Sequence, residues 1–184
     1  HIGVKAPAVP GTIAGMSMAL DKFGTMTFTQ VAKHAIAYGR EGFNITPFLG
    51  WVLEDDVDLT LTKFRQGPEA SRIWLKEDGS GYLTGERFYN RELADTVDAI
   101  ATRGIREFYE GPVADSAGRY MEENDGPMRA SDFAAYKPIL RTPIQGSFKG
   151  TRYVTSAPPS SGGIALNQLF RMLEPYDLAS TGHN

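Results

Sequence analysis

The spacing of apolar residues predicts that most of the chain is helical. Near the start, three apolar residues share one face of a predicted helix: Ile13, Met16 and Leu20. Gly24 follows this pattern as a C-terminal cap. A second helix opens with Thr27 and Gln30, which have the spacing of a capping box, and it ends at Gly39 or Gly42.

Three later helices are predicted from their caps and apolar stripes. One begins after Asn90, ends at Gly104 and carries this stripe: Leu93, Val97, Ile100 and Ala101. The next has Pro112 at its first position and is apolar at these residues: Val113, Ala117, Tyr120 and Met121. The last begins at Ile164 and stops at Pro175, and it carries these residues: Ile164, Leu166, Asn167, Leu169, Phe170 and Leu173.

Three segments give weaker patterns. Residues 46–64 are a weaker helical candidate, and residues 67–89 are rich in glycine and polar residues, which predicts irregular chain with short extended pieces. A single short turn is expected after Ser131, which would cap it, and it would stop before Pro138.

The pattern changes from helical to alternating in residues 142–159. This change predicts a β-hairpin that turns at Lys149 and Gly150. The order of helices, then a hairpin, then a helix favours a mainly helical α+β fold with a β-hairpin over a regular βαβ alternation. The length of 184 residues suits a single domain over residues 1–184.

Composition and charge narrow the classes of function. The 19 basic and 22 acidic residues give a net charge of −3 without a basic stripe, which argues against nucleic acid as a partner. No apolar run reaches bilayer length, and the first residues lack the basic-then-apolar order of a signal peptide. The absence of cysteine excludes disulfides and thiolate chemistry. No cofactor is indicated.

Candidate metal ligands are few and scattered. The three histidines, His1, His34 and His183, lie far apart in sequence, so a histidine metal site is not expected and His34 is interpreted as a helix-surface residue. The acidic run comprises Glu54, Asp55, Asp56 and Asp58. It could bind a hard cation, but it lacks the calcium-loop motif, which favours a solvated acidic face. The segment 76–81, with the sequence KEDGSG, also lacks the remaining ligands.

The segment SAPPSSGG, residues 156–163, is the one candidate for binding chemistry. In one hypothesis Ser160, Ser161, Gly162 and Gly163 form an anion-binding loop at a helix start, where free N–H groups and hydroxyls are donors. In the other, prolines end a strand, a serine caps the helix and glycines permit a sharp turn. No lysine follows the glycines, so a phosphate-binding P-loop is excluded. The spacing favours the structural turn.

Several motifs in the same order resemble the gamma-glutamyltranspeptidase family. Residues 6–43 contain the VPGT-x-AG motif and the A-x-x-A-x-x-GF segment. Residues 93–115 contain the LA-x-T and FY-x-G motifs. Residues 131–163 contain the A-x-Y, R-x-P-I-x-G and PPSSGG motifs. The one departure in the last run is Ala157, which stands where the family has the first proline of a triplet. The resemblance covers nearly the whole chain.

The resemblance implies an αββα N-terminal-nucleophile hydrolase fold and a precursor that cleaves itself into a large and a small subunit. The threonine that begins the small subunit would be the nucleophile, with its own α-amino group as the base. It would transfer the gamma-glutamyl group of glutathione or related amides to water or amino acids. This chain resembles the middle and later part of the large subunit, so it carries no catalytic residue and is expected to be inactive by itself.

The same resemblance bears on site residues, partners and location. The family's glutamyl-binding serines and glycines belong to the small subunit, so Ser160, Ser161, Gly162 and Gly163 remain weak candidates and a structural turn is favoured. The expected partner is the small subunit of the same precursor, with a homo-oligomer through exposed apolar helix faces as an addition. Bacterial members are periplasmic or secreted. Two alternatives stay open: a cephalosporin or poly-gamma-glutamate acylase, and a non-enzymatic helical module that binds a partner.

Overall fold

The computed structural model describes residues 3–54 and 59–182, which divide into two compact units, His1–Pro138 and Ile139–Asn184. The helices of the first unit are α1 (Thr12–Phe23), α2 (Phe28–Glu41), α3 (Pro47–Glu54), α4 (Thr60–Phe64), α5 (Pro68–Trp74), α6 (Arg91–Arg103), α7 (Arg106–Tyr109), α8 (Pro112–Glu123) and α9 (Ala130–Ala135). Its strands are β1 (Phe43–Asn44) and β2 (Arg87–Phe88). The assignment of the whole chain to one domain stays a prediction.

Helices α1, α2 and α6 begin and end where the sequence predicted. Thr27 and Gln30 form the expected capping box of α2, and Asn90 caps α6 by accepting the Leu93 N–H at 3.0 Å. Helix α2 packs along α6, and Gly39 allows their close approach, because a Cβ there would lie 2.7 Å from Ala94 Cβ. These two helices are the main pair of the first unit.

The region predicted to be irregular contains a helix. Residues 68–74 form α5, with Pro68 at the first helical position, so the prediction of irregular chain is wrong there. Farther along, Arg87 and Phe88 do form the expected extended piece and pair antiparallel with β1. A ladder of aromatic rings joins these parts: Phe64, Trp74, Phe88 and Phe43. Trp74 packs on Phe88 with 4.8 Å between the ring centroids. This tertiary contact stabilises α5, a helix that local propensity did not predict.

The end of the first unit differs from the prediction in one cap. Helix α9 begins two residues earlier than expected, so Ser131 lies inside the helix. Asp132 accepts the Arg129 N–H at 2.8 Å and takes over the capping role. Helices α7, α8 and α9 enclose a core of buried side chains: Tyr109, Ala114, Met121, Met128 and Phe133.

The second unit is a hairpin covered by a helix, as predicted. Strands β3 (Ile144–Phe148) and β4 (Thr151–Thr155) pair antiparallel, and Lys149 and Gly150 make the turn with φ of 48° and 78°. Helix α10 (Ser161–Leu173) packs on β3 through Phe170, which stacks on Phe148 at 4.6 Å. A short 3-10 helix, Leu178–Thr181, follows.

The described chain is thus mainly helical α+β with two small antiparallel sheets, which confirms the predicted fold class. Within residues 3–54 and 59–182, every helix is too short or too polar to cross a bilayer.

Candidate functional site

The predicted binding loop lies at the start of α10. Ser160 is the N-cap residue, with φ −67° and ψ 121°, yet its side chain makes no capping hydrogen bond within the described chain. The expectation that a serine side chain caps this helix is therefore wrong. Gly163 is buried, and a Cβ there would overlap the carbonyl oxygen of Ser156 at the end of β4. Gly163 therefore lets the first turn of α10 pack directly against the backbone of Ser156, the residue that follows β4.

The other three candidates have a different environment. Ser160, Ser161 and Gly162 are exposed, and the nearest described atom to a Cβ at Gly162 would be Ser160 Oγ at 3.8 Å. The two serine side chains are thus accessible to solvent, which suits a polar ligand in general but selects none. A ligand role for Ser160, Ser161, Gly162 and Gly163 stays a prediction.

A polar cavity of about 520 Å³ opens elsewhere in the second unit. Its lining residues are Gly146, Ser147, Tyr153, Asn167, Arg171 and Glu174. Tyr153 lies opposite Gly146 in the hairpin register, and its hydroxyl donates to Asn167 Oδ1 at 2.6 Å. This contact ties the hairpin to α10. The lining offers hydrogen bonds and charge, but among these residues there is no nucleophile paired with a base.

Sequence reasoning missed a pair of tyrosines at the start of α1. The buried Tyr109 hydroxyl donates to the Pro10 carbonyl oxygen at 2.7 Å and accepts the Ala14 N–H at 3.1 Å. Ala14 is the third residue of α1, so a side chain 95 positions away satisfies one of the free N–H groups of this helix. Burial raises the pKa of the Tyr109 phenol above its ordinary value.

The second member of the pair is Tyr136, which stacks on Tyr109 with 5.6 Å between ring centroids. A Cβ at Gly11 would overlap the Tyr136 hydroxyl, so the glycine of the VPGT motif makes room for this ring. The tyrosine pair, Tyr109 and Tyr136, therefore brings together the VPGT, FY-x-G and A-x-Y motifs. No local pattern in the sequence predicts this contact, because no periodicity links positions so far apart.

The KEDGSG segment considered for metal binding has a local hydrogen-bond network. Asp78, in the KEDGSG segment, accepts from the Ser80 N–H at 2.9 Å and from its hydroxyl at 2.6 Å, and these bonds lower the pKa of the Asp78 carboxyl. Among the described residues, no group of three or more histidine, aspartate or glutamate side chains is placed to hold a metal. Asp55, Asp56 and Asp58 lie outside the described residues, as do His1 and His183. His34 is exposed on α2, as predicted.

Comparison with known proteins gives one consistent family. The family model described as gamma-glutamyltranspeptidase matches residues 1–184. The glutathione hydrolase proenzyme of Escherichia coli K12 is 35% identical over 177 residues, which are 96% of this chain and 30% of that protein. The acylase ACY 1 proenzyme of Pseudomonas sp. SE83 is 34% identical over 182 residues, which are 98% of this chain and 32% of that protein.

The comparison of folds gives the same family. The crystal structure of Helicobacter pylori gamma-glutamyltranspeptidase superposes with a TM-score of 0.92 and 32% identity, over 100% of this chain and 52% of that one. The chain thus spans about a third of the length of the two relatives and about half of the solved chain.

Proposed function

The chain belongs to the gamma-glutamyltranspeptidase family, and on that premise we propose that it forms the helical and hairpin part of the large subunit of a gamma-glutamyltransferase/glutathione hydrolase. The observation that carries the proposal is the agreement of the family match over residues 1–184 with the TM-score of 0.92. The family membership confirms the predicted resemblance, and the fold is part of the N-terminal-nucleophile hydrolase fold of that family.

In this proposal the whole protein transfers a gamma-glutamyl group from glutathione or a related amide to water or an amino acid. The nucleophile is the N-terminal threonine of a small subunit released from the same precursor, and its α-amino group is the base. Residues 1–184 supply none of these groups. They contribute structure, and the turn formed by Ser160, Ser161, Gly162 and Gly163 serves to pack α10 on the hairpin.

Location and substrate are parts of the same proposal. The Escherichia coli relative is a glutathione hydrolase proenzyme, and we place the mature protein in the periplasm or outside the cell by family resemblance. The second candidate activity is that of a cephalosporin or poly-gamma-glutamate acylase. The relative named as an acylase supports it, because its identity to this chain is 34%, close to the 35% of the glutathione hydrolase.

The test is expression of the complete parent reading frame, with intact mass analysis and an assay for aniline release from a gamma-glutamyl anilide. Two subunits with release of the aniline support the proposal. Two subunits that instead cleave the side chain of a cephalosporin favour the acylase. A single uncleaved and inactive chain overturns both activities and favours a non-enzymatic partner-binding module.

A further inference from the structure

The second unit contains a polar cavity that the proposed function does not use. It is the cavity of about 520 Å³ lined by the hairpin and α10, and its volume lies in the range of about 300–1,000 Å³ that small-molecule sites occupy. Two of its lining side chains, those of Arg171 and Glu174, carry opposite charges. All its lining residues belong to the second unit, so residues 146–174 alone define the cavity.

One wall of this cavity is held in place by a polar contact between the hairpin and α10. A Cβ at Gly146 would overlap the Tyr153 hydroxyl, so the glycine makes room for the tyrosine ring. The hydroxyl donates to Asn167 Oδ1 at 2.6 Å, and this bond fixes the orientation of the half-buried amide. The Asn167 N–H₂ group then has no acceptor among the described residues. The cavity wall therefore carries a free donor whose position is set by packing.

The charged groups of the cavity are not paired with each other. Arg171 and Glu174 are three residues apart, a spacing at which opposite charges on a helix commonly form an ion pair. Here the Arg171 guanidinium makes no hydrogen bond or ion pair with any residue in the described ranges. The Glu174 carboxylate instead accepts the Lys149 N–H at 3.4 Å, while the Glu174 carbonyl oxygen accepts from Lys149 Nζ at 2.6 Å. The cavity therefore offers a cation and an anion that do not neutralise each other.

We propose that this cavity binds a small zwitterion of the α-amino acid type, through its carboxylate and its ammonium group. Arg171 and Asn167 are four residues apart on α10, with about 5–6 Å between their Cβ atoms, so both can donate to one carboxylate. The Glu174 carboxylate accepts from the ammonium group. A simple anion would leave Glu174 unmatched and a simple cation would leave Arg171 unmatched. The inference goes beyond the proposed activity, to which these residues supply no catalytic group.

Fluorine NMR of the complete parent protein tests this proposal at the site itself. A 3-fluorotyrosine at position 153 places the probe in the cavity wall, and the protein is titrated with glycine, with acetate and with ethylamine. We expect glycine to shift the fluorine signal saturably and to bind at least about tenfold more tightly than acetate or ethylamine, because only glycine meets both charges. The absence of a saturable shift with glycine, or equal affinity for acetate or ethylamine, would overturn the proposal.

A pair of arginine variants tests the positive side of the cavity. Arg171→Met should weaken glycine binding by about tenfold or more, because a charge-assisted hydrogen bond is lost. Arg152→Met is the matched control. Arg152 is the neighbour of Tyr153 on β4, so it points to the opposite face of the hairpin, and its loss should leave the glycine affinity unchanged. A glycine shift that keeps its wild-type affinity in Arg171→Met would overturn the proposal.

A third variant tests the negative side. Glu174→Gln keeps the size of the side chain and removes its charge, so we expect glycine to lose its preference over acetate. A preference that survives this change would overturn the zwitterion as the ligand class. The fluorine signal without ligand checks that the hairpin and α10 stay packed in each variant. The readout does not depend on aniline release, so it tests the site whichever activity the complete protein has.

Discussion

The chain contains two helix starts that look alike in sequence and are built differently. Helix α1 follows the sequence VPG and has no capping side chain of its own, yet the distant Tyr109 hydroxyl accepts its Ala14 N–H. Helix α10 follows PPS, and its N-cap is a serine whose side chain makes no cap bond to any residue in the described ranges. A residue that favours capping thus does not guarantee the cap, and a helix without one can receive it from another element.

The two starts also differ in why they need glycine. At α1, Gly11 leaves space for a side chain, the Tyr136 ring. At α10, Gly163 leaves space for backbone, the Ser156 carbonyl. A side chain can move aside at modest cost, whereas the Ser156 backbone moves only with its neighbour Thr155, the last paired residue of β4. The second contact is therefore the more sensitive of the two.

The largest expected effect is that of Gly163→Ala. Its Cβ would overlap the Ser156 carbonyl, so α10 must shift from β4, and we expect a loss of about 2–4 kcal/mol in the free energy of unfolding. The matched control is Gly162→Ala, where space is open and alanine should be neutral or stabilising by up to about 1 kcal/mol. Urea unfolding measures both. Equal stabilities of the two variants would show that Gly163 is not a contact point.

The next effect is that of Tyr109→Phe. The change leaves the Pro10 carbonyl and the buried Ala14 N–H without their partner, and we expect a loss of about 1–3 kcal/mol. Tyr136→Phe is the control, because it keeps the stacked ring and its hydroxyl makes no hydrogen bond to a described residue. Thermal unfolding at neutral pH compares them. If Tyr136→Phe costs as much, the hydroxyl of Tyr109 is not the cap that stabilises α1.

The pH dependence sharpens this result. Burial raises the pKa of Tyr109 above the ordinary value of about 10, so the folded state holds the proton more tightly than the unfolded chain. The contribution of the protonated Tyr109 hydroxyl to the free energy of unfolding is complete below about pH 10. It is lost as the pH rises through the raised pKa. The stability difference between wild type and Tyr109→Phe should therefore shrink above about pH 10. A difference that stays constant from about pH 8 to pH 11 would contradict this.

The smallest effect is expected at the serine of the second helix start. Ser160→Ala should change stability by less than about 0.5 kcal/mol, because its side chain makes no capping hydrogen bond within the described residues. The comparison is Thr27→Ala at α2, where the threonine hydroxyl accepts the Gln30 N–H at 3.2 Å and its loss should cost about 1 kcal/mol. Urea unfolding at neutral pH measures both. A cost at Ser160 equal to that at Thr27 would mean that Ser160 caps α10 in solution.

Local signals predicted the elements that have strong local causes. The capping box at Thr27 and Gln30, the Asn90 cap and the turn at Lys149 and Gly150 all appear as the sequence indicated, because each depends on residues within four positions. Helix α5 was missed because it depends on the packing of Trp74 against Phe88. The candidate site in residues 156–163 stays a prediction, and the difference between buried Gly163 and exposed Gly162 within it depends on the position of β4.

The sequence by itself determined the family, the mainly helical α+β class and the hairpin, because motifs and periodicities are local properties of the chain. Only the tertiary structure decided that Tyr109 caps α1, that Tyr136 fills the space above Gly11, and that Leu169 and Met172 of α10 stay exposed. The physical reason is the same in each case. A hydroxyl can satisfy an N–H, and a surface can be left uncovered, only where the fold places elements that are far apart in the chain.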